Sequence, residues 1–172
     1  MNLTEIGSAP CAKEFAATLP AGHFWCGDPC YVLGDTWDAV IELLYKNNVE
    51  HNVLIQTELG QMLIWSTAHG DGCFPIMCTN GAFTPTDDMT LGVDSGTLAL
   101  IDMKIVDATK KSKDDIGSGA RLTLNDATVF IIEQGDLREL HHRIIVNTSG
   151  RDEEDDEYSH ADDCRSWEPW DR

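Results

Sequence analysis

Basic side chains are scarce in this chain. Only 12 Lys and Arg stand against 30 Asp and Glu, a formal net charge of −18 over 172 residues. Such a field repels phosphate backbones and anionic lipid, which argues against direct nucleic-acid binding and against membrane association. Long apolar runs are missing too. None approaches the 18 or so residues of a membrane span. The order of a secretion leader, basic and then apolar, is not found in Met1–Pro20, where Glu5 comes early. A cytoplasmic protein is therefore expected, with Cys11, Cys26, Cys30, Cys73, Cys78 and Cys164 as reduced thiols. No glycine-rich phosphate loop, basic aromatic patch, Gly-x-Ser-x-Gly elbow or solenoid repeat occurs.

What is present is a 42% apolar body, long enough to bury a core as one domain. The acid is unevenly spread. Residues 150–172 hold ten acids and three bases, a net −7, leaving −11 of the −18 on residues 1–149. We read residues 1–149 as a single β-rich domain and residues 150–172 as an acidic, Trp-containing, flexible tail.

Residues 1–20 show weak periodicity and read as an irregular lead-in or a short helix. Residues 23–26 and 30–33 read as short strands around a Gly27-Asp28-Pro29 break. Trp37, Val40, Ile41, Leu44 and Tyr45 recur at helical spacing, predicting an amphipathic helix over about 36–46 with Asp35 or Thr36 as its cap. Strands follow at 52–57 and 61–67, then at 73–79 and 82–84 around an Asn80-Gly81 hairpin turn. Residues 97–103 read as a strand buried on both faces, 110–119 as a solvated loop, and 128–133 as another strand. Asp136 and Glu139 have capping-box spacing, so 136–146 reads as a short helix or turn running into a last strand. The expected fold class is α+β, mainly antiparallel sheet with one amphipathic helix.

Three Gly-Asp elements carry the chemistry: Gly27-Asp28-Pro29-Cys30-Tyr31, His69-Gly70-Asp71-Gly72-Cys73-Phe74-Pro75 and Val93-Asp94-Ser95-Gly96. Asp28, Asp71 and Asp94 are either turn caps or a carboxylate cluster able to hold a divalent cation. Cys30 or Cys73 with His69 is a candidate nucleophile and base, and Ser95 a weaker nucleophile. Cys26, Cys30, Cys73 and Cys78 with His69 have tolerable zinc spacing, but Cys73 and Cys78 fall on opposite faces of one strand. Adjacent His141 and His142 diverge and share no ligand role. In the tail, Asp155, Asp156 and Glu157 belong to a run of six acids, followed by Trp167 and Trp170. That pairing suits a binding arm, with acids that steer and aromatics that anchor.

The three elements resemble a family of small, uncharacterised bacterial and bacteriophage proteins. The likeness rests on Asp28 to Tyr31, Gly70 to Pro75 and Val93 to Gly96, and covers roughly residues 23–103. It implies a β-rich domain, often phage-encoded, and brings no established activity. The expected function is a non-enzymatic binding protein that engages a host protein in the bacterial cytoplasm, as a DNA-charge mimic or counter-defence factor. The alternative is a small enzyme or small-molecule binder at the three Gly-Asp loops. No cofactor is predicted, although a divalent cation would suit the carboxylates. The enzyme reading requires the loops to lie within about 10 Å of one another.

Overall fold

The computed structural model describes residues 1–46, 48–78, 90–109, 119–141 and 143–149. The element order is β1 (Thr4–Pro10), β2 (Phe15–Leu19), β3 (Gly22–Gly27), α1 (Trp37–Leu44), β4 (Tyr45–Lys46), β5 (Val49–Gln56) and β6 (Gln61–Ser66). There follow β7 (Gly72–Cys78), β8 (Thr90–Val93), β9 (Thr97–Asp102), α2 (Met103–Thr109), β10 (Ala120–Leu124), β11 (Thr128–Glu133), β12 (Asp136–Glu139) and β13 (Ile144–Val146). Every described strand pair is antiparallel. This is the expected α+β class with a β-rich body.

The strands form two sheets. One runs β1-β5-β6-β9-β3-β10, with β4 beside β5; the other runs β2-β11-β12-β13-β7-β8. Strand alternation then makes three layers. Phe24, Leu63, Trp65, Leu98 and Leu100 of the first sheet meet Phe15, Leu19, Phe130, Ile132 and Val146 of the second in the inter-sheet core. The neighbouring residues Trp25, Met62, Ile64, Ala99 and Ile101 point the other way, onto Val40 and Leu44 of α1 and Ile105 and Val106 of α2. Strand β9 lies between β6 and β3 with both faces covered. All six of its residues are buried, as the sequence predicts. Among the described residues no helix is long and apolar enough to cross a membrane.

Several sequence expectations are corrected. Residues 1–20 are neither helical nor irregular but form β1 and β2. Both are sheet edges, and β1 carries Gly7, Ala9 and Pro10 where a central strand would carry bulk. Residues 30–33 are not a strand. The Asp28 carboxylate caps the Cys30 amide, and Pro29 opens a 3₁₀ turn over Pro29–Tyr31. The helix is shorter than 36–46. Tyr45 and Lys46 turn away to pair with Glu50 and Val49, and Thr36 makes no side-chain cap bond. Tyr45, predicted on the apolar stripe, is 50% exposed. Its hydroxyl donates to Glu50, which pushes its pKa up to about 12. Strands β8 and β10 and helix α2 were not predicted. The Asn80-Gly81 turn, residues 82–84, most of 110–119, His142 and the tail lie outside the described residues.

The largest correction is at 136–146. Residues Asp136–Glu139 are a strand, so Glu139 caps no helix. Its buried carboxylate instead accepts from the amides of His141 (2.9 Å) and Arg143 (3.1 Å) and from the Arg143 guanidinium (2.9 and 3.2 Å), folding the β12–β13 turn around itself. Burial pushes the Glu139 pKa up, but the Arg143 and backbone donors outweigh it, and the net shift is downward. A carboxylate with a depressed folded pKa stabilises the fold above its ordinary range and stops doing so as pH falls through the folded value. Glu139→Gln should therefore cost about 1–3 kcal/mol at neutral pH. Urea titrations at descending pH should show the gap to wild type narrowing below the ordinary carboxylate range.

Candidate functional site

The three Gly-Asp elements meet at one place. Two chain crossings between the sheets run side by side there: residues 67–71, from β6 to β7, and residues 94–96, from β8 to β9. They touch through glycine. A Cβ added to Gly96 would stand 3.5 Å from the Gly70 Cα and 3.9 Å from the Asp71 carboxylate. Gly70 and Gly96 both have positive φ, at 77° and 67°, which an L side chain rarely adopts. The Thr67 amide donates to the Gly96 carbonyl at 3.0 Å, and the Thr67 hydroxyl to the Gly70 carbonyl at 2.5 Å. The third element enters from the end of β3.

Asp28 holds the junction. It is fully buried, and its carboxylate accepts from three backbone amides and one hydroxyl. Oδ2 takes the amides of Asp94 and Ser95 at 2.7 and 2.8 Å. Oδ1 takes the Cys30 amide at 2.9 Å and the Ser95 hydroxyl at 2.7 Å. With its proton on Asp28, Ser95 Oγ accepts from the Thr97 hydroxyl, 2.6 Å away. Outside this knot the Tyr31 hydroxyl donates to the Asp94 carboxylate, and Asp71 and Asp94 are exposed.

This geometry sorts the candidate residues. The four lone-pair positions of Asp28 are all taken by protein donors, leaving it little capacity as a cation ligand or a general base. The half-buried Cys30 thiol is free. Burial raises its pKa most, followed by its hydrogen bond to Asp28 and the charges of Asp28, Asp94 and Asp71. It stays a neutral thiol, the opposite of an activated nucleophile. His69 faces away, with Nε2 3.2 Å from the Ser149 carbonyl, so neither Cys30 nor Ser95 has it as a hydrogen-bonded base. The possible zinc set is split. Cys26 is buried in the inter-sheet core, and Cys73 is disulfide-bonded, which corrects its reading as a reduced thiol. Among the described residues no group of three or more His, Cys, Asp and Glu is placed to hold a metal ion. Asp155, Asp156, Glu157, Trp167 and Trp170 lie outside the described residues.

A second carboxylate knot escaped sequence reading. Asp136 Oδ1 accepts the amides of Thr148 and Ser149 at 2.6 and 2.8 Å, and Oδ2 accepts the Ser149 hydroxyl at 2.6 Å. The Thr148 hydroxyl in turn accepts the Ala68 amide at 2.9 Å. The pattern repeats that of Asp28: one carboxylate, two successive amides and a serine hydroxyl. The signal was present as Asp136 opening one strand and Asn147-Thr148-Ser149 following another, but the offset of 12 positions from Asp136 to Thr148 hides the pairing. Compared with known proteins, the chain matches no family model, no curated protein and no solved structure.

Proposed function

We propose that this chain is a non-enzymatic binding protein that engages a basic protein partner through its acidic surface and its C-terminal arm. The observation that carries the reading is the spent chemistry at the loop junction. Asp28 is saturated, Cys30 is kept protonated, and Ser95 and His69 are bonded apart. What remains available is charge. Asp35, Asp38 and Glu42 on and beside α1 and Asp107 on α2 are exposed on the helical layer, and the arm adds its six consecutive acids. A charge-complementary surface speeds encounter and suppresses wrong partners. A host factor that normally binds DNA has the required basic face. The resemblance of the three Gly-Asp elements to bacterial and bacteriophage proteins supports a bacterial cytoplasm as the place of action and phage as the source.

The test is capture from bacterial lysate with the full chain and with a truncation after Gly150. A stoichiometric basic partner, lost in high salt and weakened by truncation, is the expected result. Capture indifferent to salt would refute charge-led binding. A second reading, a divalent cation held by the exposed Asp71 and Asp94, draws on the convergence of the loops around Cys30. It predicts a thermal shift with Mg²⁺ or Ca²⁺ that Asp71→Asn with Asp94→Asn abolishes.

A further inference from the structure

The described helices both pack on the seven-stranded sheet, and none of them lies on the outer face of the other sheet. Phe130, Ile132, Leu137, Ile76 and Val146 of that six-stranded sheet point into the inter-sheet core. Alternation therefore sends their neighbours outward. Register lines those neighbours up across five strands, as Ala16, Ile131, Arg138, Ile145 and Met77. A second row runs beside the first. Thr18 pairs with Val129, and the Leu140 amide donates to the Val129 carbonyl at 2.9 Å. Met77 is 49% exposed and Leu140 46%. A half-open hollow of about 420 Å³ lies over Ile131, Arg138 and Ile145, with Glu133 at its rim. Apolar exposure gathered on one face in this way marks an interaction surface.

The charge of this face identifies its occupant. Of the residues that alternate outward on the six strands, Glu133, Asp136 and Arg138 are charged, and they sum to −1 on a chain of −18. Asp136 is already engaged by Thr148 and Ser149. A basic partner has little to draw it here. A second copy of the chain has, because the face carries both halves of an ion pair. Ile131 stands opposite Arg138, which puts Glu133 on the diagonal from Arg138. Such neighbours are ~7–8 Å apart. A two-fold axis between them sets Arg138 of each copy against Glu133 of the other. Over the rest of the molecule the excess of acid opposes self-association.

We propose that this chain forms a two-fold dimer through the outer face of its six-stranded sheet. Ile131, Ile145 and Met77 make the apolar centre, and Arg138 and Glu133 pair reciprocally across it. Six strands at ~4.8 Å and about five residues at ~3.3 Å give a footprint of ~460 Å² per copy. Two copies bury ~900 Å² before side-chain relief adds to it, against ~1,200 Å² at the low end of stable interfaces. The dimer is therefore weak, with a Kd on the order of 50 μM. It leaves the helical layers on its two outer sides, so both acidic surfaces stay accessible. The inference goes beyond the proposed partner and does not rest on it.

The test is sedimentation velocity of the full chain in reductant, from ~5 to ~500 μM, in ~50 mM and ~500 mM NaCl. The mass should rise with concentration from 19.0 kDa toward twice that value. Association should tighten about threefold or more at the higher salt, because screening relieves the repulsion of two acidic bodies and leaves the apolar contact. Capture of a basic partner responds to salt in the opposite sense, so the two readings fail separately. Met77→Lys, a change at an exposed position, should weaken the dimer about tenfold. Arg138→Glu should weaken it as well, and Glu133→Arg in the same chain should restore it. A single species of 19.0 kDa at every concentration in both salts would overturn the proposal. So would a dimer that loosens in high salt, or one that neither Met77→Lys nor Arg138→Glu weakens. Failure of Glu133→Arg to restore the Arg138→Glu chain would overturn the reciprocal pairing.

Discussion

Asp28→Ala should destabilise the fold by about 3–5 kcal/mol, the cost of removing a buried, fully engaged charge partner. Removal leaves the amides of Cys30, Asp94 and Ser95 without their acceptor, while the Ser95 hydroxyl is left with Thr97 alone. A domain stable by about 5–15 kcal/mol loses a large share of its margin. Asp28→Asn is the milder probe. It keeps the size but turns one acceptor oxygen into a donor facing donors, and should cost about half as much. Urea denaturation with an unchanged slope would establish both values as changes in stability. A loss below about 1 kcal/mol for Asp28→Ala would mean the carboxylate does not hold the loops together.

Trp65→Ala should cost a similar amount, about 3–5 kcal/mol, by the different route of a cavity between the sheets. Trp65 is wholly buried in the inter-sheet core, and its indole Nε1 donates to the Gly135 carbonyl at 3.0 Å. That bond ties the end of the first sheet to the β11–β12 turn. Gly135 sits at φ 89°, and a Cβ there would lie 2.3 Å from the Ala68 amide nitrogen. The ring, the glycine and the Asp136–Thr148 knot thus form one junction across the sandwich. Trp65→Phe keeps much of the apolar volume but strips the Gly135 carbonyl of its donor, and should cost roughly 1–3 kcal/mol less than Trp65→Ala. Equal losses for the two variants would show that the lost indole bond, common to both, sets the cost and that the volume kept by phenylalanine contributes nothing.

The sequence was most legible where one face is buried and the other is not, or where both are. The run at 97–102 is all apolar or Thr before its closing Asp102, and it is the doubly covered central strand β9. The apolar stripe of α1 shows for the same reason, with Val40 and Leu44 buried against the sheet. Edge strands were less legible, because β1 meets the core with small residues and leaves Ile6 49% exposed. The stretch at 136–146 misled because Asp-x-x-Glu is both a helix capping pair and, here, two outposts of a hairpin. Asp136 bonds Thr148 and Ser149, while Glu139 bonds the turn ahead of it. Local spacing cannot separate those options when the partner lies twelve residues away.

The loop junction divides in the same way. Its residues were legible as Asp beside Gly and Pro, and the turn-cap reading of them holds at Asp28. Asp28 caps a turn through the Cys30 amide, and it also gathers a second loop 66 and 67 residues downstream. The convergence was invisible because it depends on two crossings between sheets, and sheet order is not written in any one segment. The saturation of Asp28 and the neutral state of Cys30 follow only from the assembled geometry.

Asp28 holds these loops together, and the proposed reading gives Cys30 no nucleophilic role. The most direct test is the pH profile of Cys30 alkylation by iodoacetamide, read at that residue by mass spectrometry. With three carboxylates and burial raising the thiol pKa, Cys30 should react slowly from pH 7 through pH 9, well behind a free cysteine. Asp71→Asn and Asp94→Asn should each speed it, because each removes a charge that raises the pKa. Rapid alkylation at pH 7, undiminished relative to a free thiol, would contradict the account and return Cys30 to the position of a catalytic nucleophile.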